Sequence, residues 1–409
     1  MDWDDTPEQA EFRTQVRELL RDRLPDFYRR MAEKSIAVTY HHGWVSDRKS
    51  DDPERHDAAD AWGAALSERG WFAPHWPQKY GGAGLSPNEQ FILKQEMARA
   101  GTPTDLGGDG VSYLGPTIIV HGTEEQRAKY LPKILSGETA WVQGYSEPGA
   151  GSDLASLQTR AERDGDEWVI SGQKIWTTNA HHADAIFLLA RTDPDAPKHR
   201  GISFLLVDDI HTTGLDVRPL IDMAWQHGVN ETFFESVRTP AANVVGDVDR
   251  GWYVGVTLLD FERSNISGAV ALQRDLQRLI VYAGTEQGRQ QAKLTPAARH
   301  EIAERYLEAE VAQNFSLRIV TLQNAGQIPN YEASVVKTSI SESLQRLART
   351  GMKVFGLYSN IWDAEDDRAP LNAAFTRRYV MTVVATIGGG TSEIQRNIIA
   401  TRGLGLPRG

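Results

Sequence analysis

Along the first third of the chain, apolar residues recur at three- and four-residue intervals. Thr6 followed by Pro7 marks a helix start, and Phe12, Val16, Leu19, Leu20 and Leu24 trace one helical face until Pro25 stops it. HGTEEQRAKYLPKIL repeats the signal, with Thr123 and Gln126 spaced as a capping box. WPQKYGGAG, residues 76–84, is a turn-rich connector. From about residue 139 to 247 the period shortens. LQTRAERDGDEWVISG sets Asp164-Gly165 between two alternating runs, a hairpin signal, and AIFLLAR, GISFLLV and ETFFESV are further strand-length runs. Their spacing predicts an antiparallel barrel or sandwich. Helical spacing then returns. GWYVGVTLLDFERSNISGAVALQRDLQRLIVYAG keeps it to Gly284, and Thr295-Pro296 opens another helix with Ile302, Tyr306, Val311 and Phe315 on its buried side. Two more follow around 331–350 and 371–386. The pattern divides the chain into a helical segment 1–138, a β segment 139–247 and a helical segment 248–409 that ends in a bundle.

Composition narrows the function. At 409 residues the chain exceeds one ordinary core, so two or three domains are expected. A net charge of −11 argues against nucleic acid or an anionic membrane as the main partner. With no cysteine, disulfides, thiolate nucleophiles and Cys-ligated metals are excluded, and a reducing cytoplasm is the expected location. The acidic start MDWDDTPEQAEF reads as no signal peptide, and AIFLLA, among the longest apolar runs, is too short for a membrane span.

Several familiar signatures are missing: no G-x-G-x-x-G after a strand, no P-loop, no H-E-x-x-H and no G-x-S-x-G. His41-His42 and His181-His182 are adjacent pairs whose side chains diverge on regular elements, so no metal site is expected from them. Three stretches do carry chemistry. TIGGGTSEIQR, 386–396, runs three glycines into a helix start, with Ser392 as expected N-cap and Gln395 closing a capping box. Such glycines let backbone approach an anion or cofactor, or form a plain loop; the pattern alone leaves both open. GYSEPGAGSD, 144–153, gathers Ser146, Ser152 and backbone N–H groups in one tight loop, suited to a flavin edge or a phosphate. GQKIWTTNA places Trp176 and Thr178 two apart, so that on a strand they share a face. An ordinary buried tryptophan is the alternative.

Taken together, WPQKYGGAG, HGTEEQRAKYLPKIL, YSEPGAGSD, GQKIWTTN and GGGTSEIQRNIIATRGLGLPR resemble the acyl-CoA dehydrogenase family in order and spacing, over nearly the whole chain. The resemblance implies an α+β fold: an N-terminal helical domain, a middle antiparallel β-barrel and a C-terminal four-helix bundle. It also implies FAD as cofactor, an acyl-CoA thioester as substrate, an electron-transfer flavoprotein as acceptor, and a homo- or hetero-oligomer, dimer or tetramer. By position, Gln143, Tyr145, Ser146, Trp176, Thr178, Thr391 and Glu393 match cofactor-binding residues. Ser152, Asp260, Arg263 and Gly389 match positions at the substrate and its CoA arm. The family reaction removes an α-proton with a carboxylate and transfers the β-hydride to flavin N5. Many members carry that carboxylate directly before the Gly-Thr of the C-terminal motif, where this chain has Gly389. Gly389 keeps the backbone N–H that in the family polarises the thioester carbonyl. A second family solution places the base on the helix after the barrel, and Glu262 in LLDFERSN occupies that position.

The chain also departs from the family pattern. The Arg…Phe-Gly element that grips a neighbour's FAD is replaced by YAGTEQGRQQAKL, and the later Q-I-F-G-G stretch reads KVFGL at 353–357. Its own flavin-ring site is complete while the part donated to a neighbour is eroded, a combination similar to mixed tetramers among bacterial members, including those acting on steroid side chains. A non-catalytic or half-site subunit, and a flavin oxidase or monooxygenase on the same fold, are the alternatives. Three glycines where a bulkier loop is usual imply room for branched, cyclic or polycyclic acyl groups.

Overall fold

The computed structural model of the chain describes residues 5–34, 43–104, 106–258 and 266–407. Helices come first, a curled sheet occupies the middle, and helices return to the end. By contact, the described residues form two compact units. One gathers those of Met1–Thr39, Ser86–Thr104 and Arg263–Gly409; the other gathers those of Tyr40–Leu85 and Asp105–Glu262. Among the described residues, no helix is long and apolar enough to cross a membrane.

In the first unit, helix Pro7–Arg23 starts as its sequence dictates. Thr6 Oγ1 accepts from Gln9 N–H at 3.3 Å, and Gln9 Oε1 accepts from Thr6 N–H at 3.0 Å. Its buried stripe is Phe12, Val16, Leu19 and Leu20, and it packs on helix Pro87–Ala100, which in turn meets helix Ile266–Gly284. Buried Glu96 locks the first of these contacts. Arg13 and Arg17 donate to it at 2.6 and 2.8 Å, and Arg99 at 2.9 Å. Burial pushes this carboxyl up, but the hydrogen bonds from Arg17 and Arg13 outweigh it and hold its pKa low.

Helix Pro296–Asn324 corrects an expectation. Tyr306 and Val311 are 51% and 45% exposed, and Ile302 and Phe315 are only half-buried. The inner face is instead Ala309, Ala312, Ser316 and Ile319. Its neighbour, helix Tyr331–Phe355, buries Ser334, Ser341 and Ala348. Small residues on both buried faces suit a close approach of helix backbones, and Ile319, Val320 and Leu322 supply the larger buried side chains toward the C-terminal end.

The second unit is built on a seven-stranded sheet among the described residues. Its strands are β1 (Trp141–Gly144), β2 (Arg160–Asp164), β3 (Glu167–Thr178), β4 (Ala185–Arg191), β5 (Ile202–Val207), β6 (Leu215–Ile221) and β7 (His227–Pro240). They pair in the order β1-β4-β2-β3-β7-β6, with β5 on β4. Antiparallel pairing dominates, as the turn signals predict. β1 is an exception, parallel to β4, and β2 meets β4 in parallel at Arg160 and Arg191. In the β2–β3 hairpin Asp164 pairs with Glu167, so the two turn residues are Gly165, at φ +60°, and Asp166, one step beyond the expected pair. β4 and β5 read as largely apolar runs, interrupted only by buried Ser203 and ended by Arg191, because both of their faces are covered. Val142, Trp168, Ile170, Leu188, Leu205 and Phe234 belong to the core. Helix Glu124–Leu135 is capped by the expected Thr123–Gln126 box, and the Gln126 amide also donates to Ala242 O and Val244 O at 2.8 and 2.7 Å. One side chain thus ends the helix and fastens it to the segment after β7.

Candidate active site

The loop after β1 turns tightly at Pro148-Gly149, where Glu147 and Ala150 exchange backbone hydrogen bonds at 3.1 and 3.0 Å. A Cβ at Gly149 or Gly151 would meet nothing within 4 Å, so the outer side of the loop is open. Its inner side is fastened by charge. The buried Glu147 carboxylate accepts from Gln158 N–H at 2.6 Å, Thr159 N–H at 2.9 Å and Lys174 Nζ at 2.8 Å. Lys174, fully buried on β3, also donates to Tyr145 O at 3.1 Å, and Ile175 N–H donates to Ser146 O at 2.9 Å. Burial lowers the Lys174 ammonium to about 8, with Glu147 opposing the shift. For Glu147 burial acts upward, but the Lys174 charge and the hydrogen bonds from Lys174, Thr159 and Gln158 prevail and hold it below its ordinary value.

Of the cofactor-matching residues here, Gln143 is half-buried on β1 and donates its N–H to Asp109 Oδ2 at 3.1 Å. The Tyr145 ring is buried edge-on against Phe187 and Phe204, so the part it offers to the loop is its backbone. Ser146 is half-buried, and Ser152 is exposed at the far end of the loop.

Two residues after Lys174, β3 bulges. Lys174 pairs with Thr232 and Thr177 with Asn230, so Ile175 and Trp176 stand opposite Glu231 alone. Trp176 takes a left-handed φ of +63° and is 61% exposed. Thr177 is buried, and Thr178 is exposed like Trp176. The structure therefore brings an exposed indole and an exposed hydroxyl to the end of the strand that carries the loop's fastenings. An open glycine loop, a flat apolar face and neighbouring hydroxyls fit a flat polar-edged ring.

The glycine motif belongs to the other compact unit. Thr391, not Ser392, caps helix Ser392–Ile398: it is extended, at φ −61° and ψ 159°, and its Oγ1 accepts from Ile394 N–H at 3.2 Å. The capping position thus lies one residue before the expected one. Ser392 is buried within the helix's first turn. Gln395 Nε2 reaches back to Gly389 O at 3.0 Å, and Lys337 Nζ donates to Gly390 O at 2.7 Å. Gly389 and Gly390 have φ of +65° and +86°, and a Cβ on Gly389 would enter open space. Glu393 is exposed, and the backbone N–H of the helix start, with Thr391, keeps its carboxyl low. Thr391 and Glu393 share a cavity of about 340 Å³ with Glu342, Gln345, Arg346 and Arg349. Asp260, Glu262 and Arg263 lie outside the described residues.

Two features escaped the sequence pattern. Lys174 falls on the same inward parity as Trp168 and Ile170, and a lysine at such a position signals a buried partner. The histidines at 181 and 182 do not diverge. They sit on a 3₁₀ turn after left-handed Asn179, with rings 4.1 Å apart, and His227 stacks on His181 at 3.8 Å. Adjacent side chains diverge on regular elements, and this turn is not one.

Family models describe three successive parts of the chain: the acyl-CoA dehydrogenase N-terminal domain over residues 6–138, the middle domain over 143–237 and the C-terminal domain over 249–404. Acyl-CoA dehydrogenase IpdE1 of Mycobacterium tuberculosis is 35% identical over 401 residues, covering 97% of this chain and 98% of the relative. Acyl-CoA dehydrogenase FadE29 of the same organism is 37% identical over 335 residues, 81% of this chain and 84% of the relative. Among solved structures, the Tcur3481-Tcur3483 steroid ACAD matches with a TM-score of 0.84 at 33% identity over 100% of both chains. The ChsE4-ChsE5 complex from Mycobacterium tuberculosis matches at 0.79 and 31%, again over 100% of both.

Two measurements test this geometry. Glu147→Gln leaves the Lys174 ammonium buried without its counter-charge and is expected to lower unfolding free energy by about 3 kcal/mol near neutral pH, measured by urea denaturation. Because the folded pKa of Glu147 lies below its ordinary 4.5, the wild-type advantage is complete above that value and shrinks as pH falls through the lowered one. Gly389→Ala forces an L-residue into the left-handed region, whereas Gly388→Ala meets only ordinary contact with Val384 O at 3.7 Å. The first variant should be less stable than the second by about 1 kcal/mol in the same assay.

Proposed function

The chain belongs to the acyl-CoA dehydrogenase family, an oxidoreductase class, and on that premise we propose that it is a FAD-dependent α,β-dehydrogenase of an acyl-CoA thioester with Glu262 as catalytic base. One observation carries this reading. The loop and strand end that match the flavin-ring site are built and fastened, while the family's usual base position holds Gly389, with no carboxylate.

In this reading Gln143, Tyr145, Ser146, Trp176 and Thr178 hold the flavin ring, and Thr391 and Glu393 also bind the cofactor. The exposed Trp176 indole and Thr178 hydroxyl and the open glycine loop support that fit. FAD, when bound, supplies the acceptor for the β-hydrogen and its electron pair, and an electron-transfer flavoprotein then takes the electrons. The remaining roles fall to the chain itself. Glu262 removes the α-proton, a task that requires its pKa to be raised by a water-poor acyl pocket. The Gly389 N–H donates to the thioester carbonyl oxygen as negative charge develops there. Ser152, Asp260 and Arg263 bind the CoA arm.

The substrate class we favour is polycyclic, of the steroid type, supported by the likeness to a steroid ACAD and by the open space at Gly389. The assembly we favour is a mixed oligomer. The Tcur3481-Tcur3483 and ChsE4-ChsE5 structures each bear two protein names, and Leu357, in the stretch where the family's Q-I-F-G-G meets a neighbour's FAD, is 82% exposed. In that assembly this chain supplies a flavin-ring site and a different subunit supplies the missing grip.

The test is anaerobic flavin bleaching by a panel of acyl-CoAs, for wild type and Glu262→Gln side by side. The variant should retain FAD and lose bleaching rate by a factor on the order of 10²–10⁴, the usual contribution of a positioned base. Bleaching untouched by the substitution would remove Glu262 from the mechanism. A wild-type chain that acquires flavin only with a second subunit would favour the half-site reading.

A further inference from the structure

The left-handed conformation of Trp176 costs on the order of 1–3 kcal/mol in a non-glycine residue and persists only where its surroundings impose it. Directly after the bulge β3 resumes its pairing with Asn230 of β7, 0% exposed and in register with Thr177. Its side chain, not only its backbone, engages β3. Asn230 Nδ2 donates to Thr177 O at 3.0 Å. It also lies 3.1 Å from His181 Nδ1, while Asn230 Oδ1 lies 2.8 Å from His227 Nε2. An amide has two N–H donors, and both are used here, so His181 Nδ1 is the acceptor and His227 Nε2 the donor. Asn179, at φ +57°, turns the chain after Thr178 into the 3₁₀ turn that carries His181, and its N–H donates to Gly228 O at 2.9 Å. The carbonyl that follows Trp176 and the turn that follows Thr178 are therefore bound to one buried amide.

We infer that Asn230 is a positioning residue: through Thr177 O and His181 it holds the bulge that presents Trp176 and Thr178 to the flavin ring. The inference deepens the functional reading and rests on it for the identity of the ligand. The alternative is a buried amide satisfied for its own sake, whose loss lowers stability without moving Trp176. The two differ in what happens at one side chain.

Full-length protein labelled with 5-fluorotryptophan gives one ¹⁹F resonance per tryptophan, and the Trp176 signal is identified by its loss in Trp176→Phe. Asn230→Asp keeps shape but loses the donor to Thr177 O, and Asn230→Ala removes the whole amide without burying a charge. In either folded variant the Trp176 resonance should shift and broaden while the other tryptophan resonances stay in place. FAD affinity should fall by about tenfold, the scale of one lost hydrogen bond to a buried acceptor. A Trp176 resonance that stays at its wild-type position in a folded variant overturns the inference, even if stability has dropped. The shift is read before FAD is added, so the two readings fail separately. A displaced Trp176 in a protein whose wild type takes no FAD sinks the cofactor assignment and leaves Asn230 as the clamp.

Discussion

The middle of this protein depends on one buried ion pair. Lys174 and Glu147 are both removed from water, and a desolvated pair is favourable only if its remaining donors and acceptors are also used. Here they are. The carboxylate takes two backbone N–H groups besides the ammonium, and the ammonium takes Tyr145 O besides the carboxylate. These bonds connect three places: the start of the glycine loop, the chain entering β2 and the middle of β3. A Pro-Gly-Ala-Gly sequence would otherwise have wide conformational freedom. The pair removes that freedom without covering the outer side of the loop, which is what a binding loop requires.

The same logic of fixing backbone from behind recurs elsewhere. Gln395 and Lys337 hold the carbonyls of Gly389 and Gly390, so three consecutive glycines are a shaped loop and not slack. Their side-chain-free surface stays open at Gly389. A carboxylate there would have been a local solution to proton abstraction. A glycine there leaves only an N–H, so the proposed reaction needs its base on another element, the role proposed for Glu262.

What could be read from the sequence was what is decided locally. Thr6–Gln9 and Thr123–Gln126 are three residues apart, and a capping box needs nothing else. Strands β4 and β5 announced themselves as apolar runs, and the β2–β3 hairpin by its Asp-Gly signal. Non-local packing was less legible. Helix Pro296–Asn324 turns Ala309, Ala312 and Ser316 inward, small residues that no scan for large apolar side chains detects. The parallel match of β1 with β4 joins segments about forty residues apart. The three-histidine stack needs a strand from beyond that distance as well as a turn. Within the candidate site, motifs identified the exposed residues Trp176, Thr178 and Ser152. The residues that hold them in place were missed, because their partners lie elsewhere in the chain.

Trp176 shows why those holding residues matter. A left-handed position in a strand is most easily filled by glycine or asparagine, and tryptophan is a poor choice on backbone grounds alone. A bulge by itself does not need an indole, and an exposed indole does not need a bulge. Their coincidence, between a buried lysine two residues before and the pairing of Thr177 with a buried asparagine, is a local conflict that the surrounding sheet is built to sustain. Such conflicts concentrate where a side chain must face a ligand in an orientation that regular structure does not provide. The placement of the indole, more than its identity, is therefore what the polar interior of this sheet maintains.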